Sequence, residues 1–311
     1  MTAMSTPQDY AKALAADIRI AAMIEAEVRA QLADNASIRQ YITYAGDVTG
    51  SGSDTIRLRY ANVGAATPFT TATDGVALAA SAMDATVANI TVARSGLVYD
   101  VSDLFVMTGF GRDLDPYRIA ERMAAAAEAR IMEIICGTFA SATTSVGTSG
   151  VNMSVDNFTD ALYALELASN PTPYLCVLHP RQLADLQAAL RAENNNFLSF
   201  STGTEEMSKA KAPGWAGRLL GVDIFASAYV QLNGATTDRV GLMFSQPGIG
   251  YAIGTAQPLA GALAELRPAG TPVTIAFERN EAAGLTTIAG HLYCGASMLE
   301  TDRCVKIETD A

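Results

Sequence analysis

The sequence predicts an α+β fold, and three observations carry that prediction. Apolar residues recur at the helical period over 8–33 and 116–137. Apolar and polar residues alternate at a period of two over 55–60 and 88–92, the mark of half-buried strands. Between 156 and 192, a helix, a wholly apolar strand and a second helix follow one another, as in a mixed α/β layer.

The first helix, over 8–33, sets Leu14, Ile18, Ala21, Val28 and Leu32 on one face, interrupted by Glu25. Pro7 stands near its start, and Asp34-Asn35 supply stop residues. A single narrow stripe on a terminal helix needs a cover, from its own domain or from a neighbouring subunit. Next, Ile56, Leu58 and Tyr60 alternate with Thr55, Arg57 and Arg59, and Ala88, Ile90 and Val92 alternate with Asn89 and Thr91. A Gly/Thr/Ala-rich stretch, 61–85, joins these arms into a long two-stranded excursion with little apolar mass of its own. Isolated hairpins are marginal in water, so something must lie against it. Leu14, Ile18, Val28 and Leu32 of the helix, with Arg57, Arg59 and Ile90 of the excursion, are therefore the candidate intersubunit contacts.

The spacing predicts a long helix over 116–137. Pro116 suits its first position, and Asp113 or Asp115 can cap it. Ala120, Ala124, Ala127, Ile131 and Ile135 make its buried stripe, with Arg118, Glu121, Arg122, Glu128 and Glu133 on the other side. Residues 141–154 read as a loop. A helix over 156–169 capped by Asp156, a buried strand over 174–178 and a helix over 180–192 carrying Leu183, Leu186 and Leu190 come next. A polar loop spans 194–213. Short strands are predicted over 223–226 and 240–244, and a final set over 273–278, 285–291, 293–299 and 305–308.

Composition limits the function classes. Half of the 311 residues are hydrophobic and 17% are charged, which describes a folded chain. No uninterrupted apolar run approaches the roughly 18 residues of a membrane span, and Met1 to Tyr10 show no secretory pattern. The four cysteines, Cys136, Cys176, Cys294 and Cys304, have no paired spacing and are expected as buried thiols. The net charge of -11 is spread along the chain, and the lysines are only Lys12, Lys209, Lys211 and Lys306. A protein that grips DNA clusters its cations, so direct DNA binding is disfavoured, while a container that holds DNA without adhering to it stays open.

Reactive constellations are scarce. His179 and His291 are the only histidines, and neither belongs to a metal-binding or catalytic pattern in sequence. Gly248, Gly250 and Gly254 miss the dinucleotide spacing by one residue, and turns between short strands explain them better. Glu205-Glu206 read as solvated loop acids, and Trp215 reads as a loop anchor. No catalytic residue, cofactor site or metal site is expected.

Several segments, in their order, resemble one family. Tyr174-Leu175-Cys176-Val177-Leu178-His179-Pro180 leads into a Leu-rich helix, and Gly217-Arg218-Leu219-Leu220-Gly221-Val222-Asp223-Ile224 leads into a strand. The run from Phe277-Glu278-Arg279 to Ala296 carries Gly290 and Gly295. With the terminal helix, the long β excursion and the alanine-rich helix, these resemble the major capsid proteins of tailed double-stranded-DNA phages, the Hong Kong 97-type fold.

The resemblance implies an N-terminal arm (1–43), an extended loop or E-loop with flanking strands (44–112), and a spine helix of the peripheral domain (113–150). It further implies an axial domain (151–265) and closing peripheral strands (266–311). It implies self-assembly into hexamers and pentamers of an icosahedral head, which encloses DNA without sequence-specific contacts and has no membrane partner. A separate scaffolding protein, a portal and a decoration protein are the further partners it admits, with assembly in the host cytoplasm and residence in the virion. No lysine lies between Lys12 and Lys209, so the covalent crosslinking of some family members is not expected here. The alternatives are an encapsulin-like compartment shell, an enzyme whose site sequence does not show, and a phage tail or minor structural protein.

Overall fold

The computed structural model describes residues 26–28, 30–32, 38–49, 51–62, 74, 84–102, 104, 116–192, 214–234, 237–255, 273–280 and 282–310. Its organising element is helix α1, Pro116–Gly137. At 1.5 Å per residue it runs about 33 Å. The predicted stripe of Ala120, Ala124, Ala127, Ile131 and Ile135 is buried along its length, joined by Met123, Met132 and Cys136. Glu128 departs from expectation. It faces inward, and its carboxylate lies 3.5 Å from the Arg39 guanidinium with both side chains about seven-eighths covered.

A five-stranded sheet packs on the first half of α1. Its centre is β12, Leu285–Met298, paired with β11 (Val273–Asn280) on one edge and β4 (Ala93–Ser102) on the other. The last residues of β12 pair with β10, Ile249–Ile253, which pairs in parallel with β1, Thr43–Asp47. Where the sequence predicts two strands, 285–291 and 293–299, β12 runs unbroken, because its partners hand over without a gap at Cys294.

The second half of α1 reaches a six-stranded sheet of order β5-β13-β9-β6-β8-β7. Its strands are β5 (Thr144–Val146), β6 (Tyr174–Leu178), β7 (Trp215–Leu219), β8 (Val222–Ala226), β9 (Asp238–Ser245) and β13 (Cys304–Asp310). One face sets Leu175, Val177, Phe225, Leu242 and Phe244 into a core continuous with Ile131, Ile135 and Phe139. The other sets Cys176, Leu178, Ile224, Met243 and Ile307 against helices α2 (Val155–Leu167) and α3 (Pro180–Ala192). Ser154, not Asp156, caps α2, its hydroxyl accepting the Asn157 N–H at 3.2 Å. In α3, Leu186 and Leu190 are buried, Leu183 only partly, and Gln182 is unexpectedly the third buried residue.

The sheets cut across the sequence boundaries. The closing segment divides, with β11 and β12 in the five-stranded sheet and β13 in the six-stranded one. Strand β10, assigned by sequence to the axial segment, belongs to the five-stranded sheet, and the loop predicted over 141–154 contains β5, an edge strand beside β13. Pairing partners far apart in sequence decide this, and local pattern does not encode them.

Candidate assembly surfaces

The two alternating arms form the predicted hairpin, β2 (Thr55–Asn62) and β3 (Asp84–Thr91), with Ile56 opposite Ile90 and Leu58 opposite Ala88. That apolar face is not left bare at its root. Ile90 is fully buried against Ala252 and Leu299, with Ile56, Leu58 and Val92 around them. The opposite face is exposed and carries Arg57, Arg59, Asn89 and Val87, the last about half accessible.

The candidate contacts therefore separate. Arg57 and Arg59 point outward and are available to a partner. Ile90 is corrected to a root residue of its own chain. Val28 and Leu32 are corrected too: both are under 5% exposed, within the core that includes α1, Ile38 and Ile42. The Arg39–Glu128 pair lies where this segment meets α1, and Arg39 also donates to the Leu32 carbonyl. Leu14 and Ile18 lie outside the described residues, as do the hairpin beyond Asn62 and Glu205-Glu206.

The residues that could carry chemistry are otherwise engaged. His179 is the N-cap of α3, with Nδ1 accepting the Arg181 N–H at 3.3 Å, while Gln182 Oε1 accepts the His179 N–H at 3.0 Å, a reciprocal capping arrangement. Burial, and then the nearby Arg239 charge, lower the His179 pKa, which suits a ring nitrogen that must accept. Gln182 Nε2 donates to the Arg239 carbonyl and the Thr309 hydroxyl, tying α3 across β9 and β13. Only the Gln three residues after His179 hinted at this role in sequence.

All four thiols are buried. Burial pushes Cys136 and Cys304 up to about 12 and Cys294 to about 11, and raises Cys176 as well, so none is a ready nucleophile. Among the described residues there is no metal-binding cluster and no helix long and apolar enough to cross a membrane. Gly248 does close the turn between β9 and β10, its N–H donating to the Ser245 carbonyl at 2.8 Å, whereas Gly250 and Gly254 are corrected from turn residues to sites of close approach. Gly250 lies inside β10, where an added Cβ would stand 2.8 Å from Leu299, and one at Gly254 would stand 2.8 Å from Val48. Trp215 begins β7 and donates to Asp223 Oδ1 at 3.3 Å.

No protein-family model and no curated protein sequence matches the chain. Solved structures do. A chain from the capsid of Ralstonia phage GP4 is 12% identical, with a TM-score of 0.57 over 87% of this chain and 86% of its own. One from the holo-encapsulin complex of Synechococcus elongatus is 14% identical, with a TM-score of 0.56 over 87% and 86%. One from the capsid of cyanophage P-SCSP1u is 12% identical, with a TM-score of 0.54 over 89% of each. The chain has the Hong Kong 97-type fold. Within that fold β2–β3 is the extended hairpin, α1 the spine helix, and the six-stranded sheet with α2 and α3 the α/β layer. At such identities it is the backbone path that is shared, and each side chain must be argued from this chain alone.

Proposed function

We propose that the chain is the major capsid protein of a tailed bacteriophage, whose copies form the hexamers and pentamers of an icosahedral head around double-stranded DNA. The observation that carries this reading is the alignment with phage capsid chains over about nine-tenths of both lengths. The exposed hairpin face with Arg57 and Arg59 supports it. A shell needs heterologous contacts that repeat until they close, and a projecting hairpin supplies one half of such a contact.

In this reading residues 1–43 are the arm, 44–112 the extended loop with its flanks and 113–150 the spine. The axial layer is 151–265 without β10, completed by β13. The role is structural rather than enzymatic, and the acidic chain forms a wall that does not trap DNA during packaging. A separate scaffolding protein, a portal and a decoration protein are its expected partners, with assembly in the host cytoplasm before residence in the virion.

The test is negative-stain microscopy and light scattering of the purified protein across concentration. Closed particles support the reading. A monomer at every concentration, with a radius of gyration near the roughly 20 Å of a compact chain this long, refutes it. Deleting 61–85 should leave a folded protomer that no longer assembles. The encapsulin match favours a second reading, a compartment shell. Nucleic acid inside the natural particles decides for the capsid, and a protein cargo decides for the compartment.

A further inference from the structure

A strand at the edge of an open sheet presents a row of N–H and C=O groups that another chain can pair with. Most edges of the two large sheets are blunted. Strand β5 is three residues long, and β1 and β7 each carry a register shift, at Tyr44/Gly46 and Trp215/Gly217. Strand β11 is buried over Val273, Thr274 and Ile275. Strand β4 has none of these protections, and it holds no proline and no lysine. It pairs with β12 residue for residue from Ala93 opposite Cys294 to Ser102 opposite Leu285, without a bulge. For residues 93–101, among the described residues, that ladder is the only backbone pairing.

The alternation of β4 is regular. Leu97, Tyr99 and Val101 pack on the core yet stay only partly buried, while Arg94, Gly96, Val98 and Asp100 are exposed on the other face. Val98 is 55% accessible. About Leu97 the exposed face is antisymmetric. Gly96 and Val98 stand one residue to either side of it, the smallest side chain against a branched one, and Arg94 and Asp100 stand three to either side. Asp100 Oδ1 accepts the Thr287 hydroxyl at 2.7 Å, which orients the carboxylate on this face. Six residues of extended strand hold Arg94 and Asp100 about 20 Å apart, so the two charges cannot meet within one copy.

We propose that the free edge of β4 pairs with β4 of a second copy, antiparallel about a two-fold axis at Leu97. In that register Arg94 of each copy stands opposite Asp100 of the other, and Val98 opposite Gly96. On the inner face Leu97 meets its own counterpart and Ser95 stands opposite Tyr99, which extends the partly buried apolar row. A slip of two residues sets Arg94 opposite Val98 or Ser102 and matches neither charge. A slip of one turns the exposed face of one copy inward. The axis is perpendicular to the sheet, so both copies keep the same face outward, as neighbours in a wall must. The contact is isologous and ends at two copies. The inference rests on the self-assembling reading above and deepens it, adding a two-fold contact to the repeating one of the hairpin.

Two sets of full-length variants test this. Residues directly opposite in an antiparallel pair have Cα atoms about 4.5–5.5 Å apart, within disulfide reach. Leu97→Cys, assembled and oxidised with copper phenanthroline, should therefore run as a covalent dimer on a non-reducing denaturing gel. Val101→Cys should not, since its counterpart would lie about 27 Å away, and the four buried native thiols should stay silent. The second set reverses charge at exposed positions. Arg94→Asp or Asp100→Arg alone sets like charges opposite each other twice per contact, and should raise the concentration for half-assembly in sedimentation velocity roughly tenfold. The double exchange, Arg94→Asp with Asp100→Arg, should return it to within about threefold of wild type. No dimer from assembled Leu97→Cys, an equal dimer from Val101→Cys, or a double exchange no better than the single ones overturns the contact while leaving the shell reading intact. Covalent dimers that close no particle at any concentration keep the contact and overturn the shell reading instead.

Discussion

The root of the hairpin rests on one glycine, and the consequence of changing it follows from distances. An added Cβ at Gly295 would stand 2.1 Å from the Thr91 carbonyl oxygen and 2.8 Å from its carbon, with Val92 Cα at 3.1 Å. A carbon–oxygen contact settles near 3.3 Å, so the backbone at the end of β3 must open by about 1.2 Å. No flexible side chain is there to yield. Forced overpacking costs about 1–3 kcal/mol, and weakening a ladder hydrogen bond adds about 1 kcal/mol. Gly295→Ala should therefore destabilise by about 3 kcal/mol, a fall in Tm of roughly 5 °C for a chain of this size. Gly290→Ala, five residues earlier in β12, is the control. Its Cβ would meet Met123 Cε at 3.4 Å, the movable end of a long side chain, so the change should stay within about 1 kcal/mol. Paired urea titrations measure both. A Gly295→Ala cost under about 1 kcal/mol, or one equal to that of Gly290→Ala, refutes the close-approach argument.

Other expectations follow from the same geometry. Arg57→Glu with Arg59→Glu should leave the urea midpoint within about 0.5 kcal/mol of wild type, since both side chains are exposed, yet abolish particles in negative stain. Glu128→Ala should cost about 3 kcal/mol by leaving Arg39 charged and covered, and limited trypsinolysis should then release the segment before Ile38 faster. His179 gives a pH dependence. Its folded pKa lies below the ordinary 6.5 because of burial and then Arg239, so the unfolded chain takes up the proton first. Its contribution is complete above pH 6.5 and is lost as pH falls through the folded value. Urea midpoints at pH 7.5 and 5.5 should show that loss, and His179→Asn, which keeps a capping acceptor, should reduce it.

Most of what sequence conveyed was local. The stripe of α1, the five apolar residues of β6 and the alternation of β2 and β3 each repeat at the period of their element; α1 and β6 stand where predicted, while β2 runs on to Asn62 and β3 starts earlier, at Asp84, and ends at Thr91. Strands β1, β7 and β10 escaped notice because TYAGD, WAGRL and IGYAI are five residues long and interrupted by glycine. Strand β4 carried an alternation that was legible, Leu97, Tyr99 and Val101 against Val98 and Asp100, and was overlooked. Sheet membership was not legible at all, since Ile307 pairs with Gly241 and Val146 across long loops. Three of the candidate contacts proved covered by their own chain for the same reason. Ile90 looked uncovered because Ala252 and Leu299 lie some 160 and 210 residues further along the chain. Val28 and Leu32 gain their cover from α1 nearly a hundred residues away.

That hidden connectivity also limits where a shell subunit of this design can bend. The buried face of α1 enters one continuous core that includes Ile275 and Ile288 of the five-stranded sheet and Leu242 and Phe244 of the six-stranded one. Rotating one sheet against the other would strip close-packed contacts from Ile131 and Ile135, both at most 1% exposed. Interiors at crystal-like density do not deform smoothly, so the two sheets and the spine should move as one body between ring environments. Accommodation must then fall on parts that share little of this core, such as the exposed face of the hairpin that carries Arg57 and Arg59. A substitution inside the spine stripe, Ile135→Ala for instance, should lower stability by about 2–4 kcal/mol without altering which rings form. A change at Arg57 or Arg59 should do the opposite. If a core truncation redistributed rings at unchanged stability, the spine would be a hinge and this division of labour would be wrong.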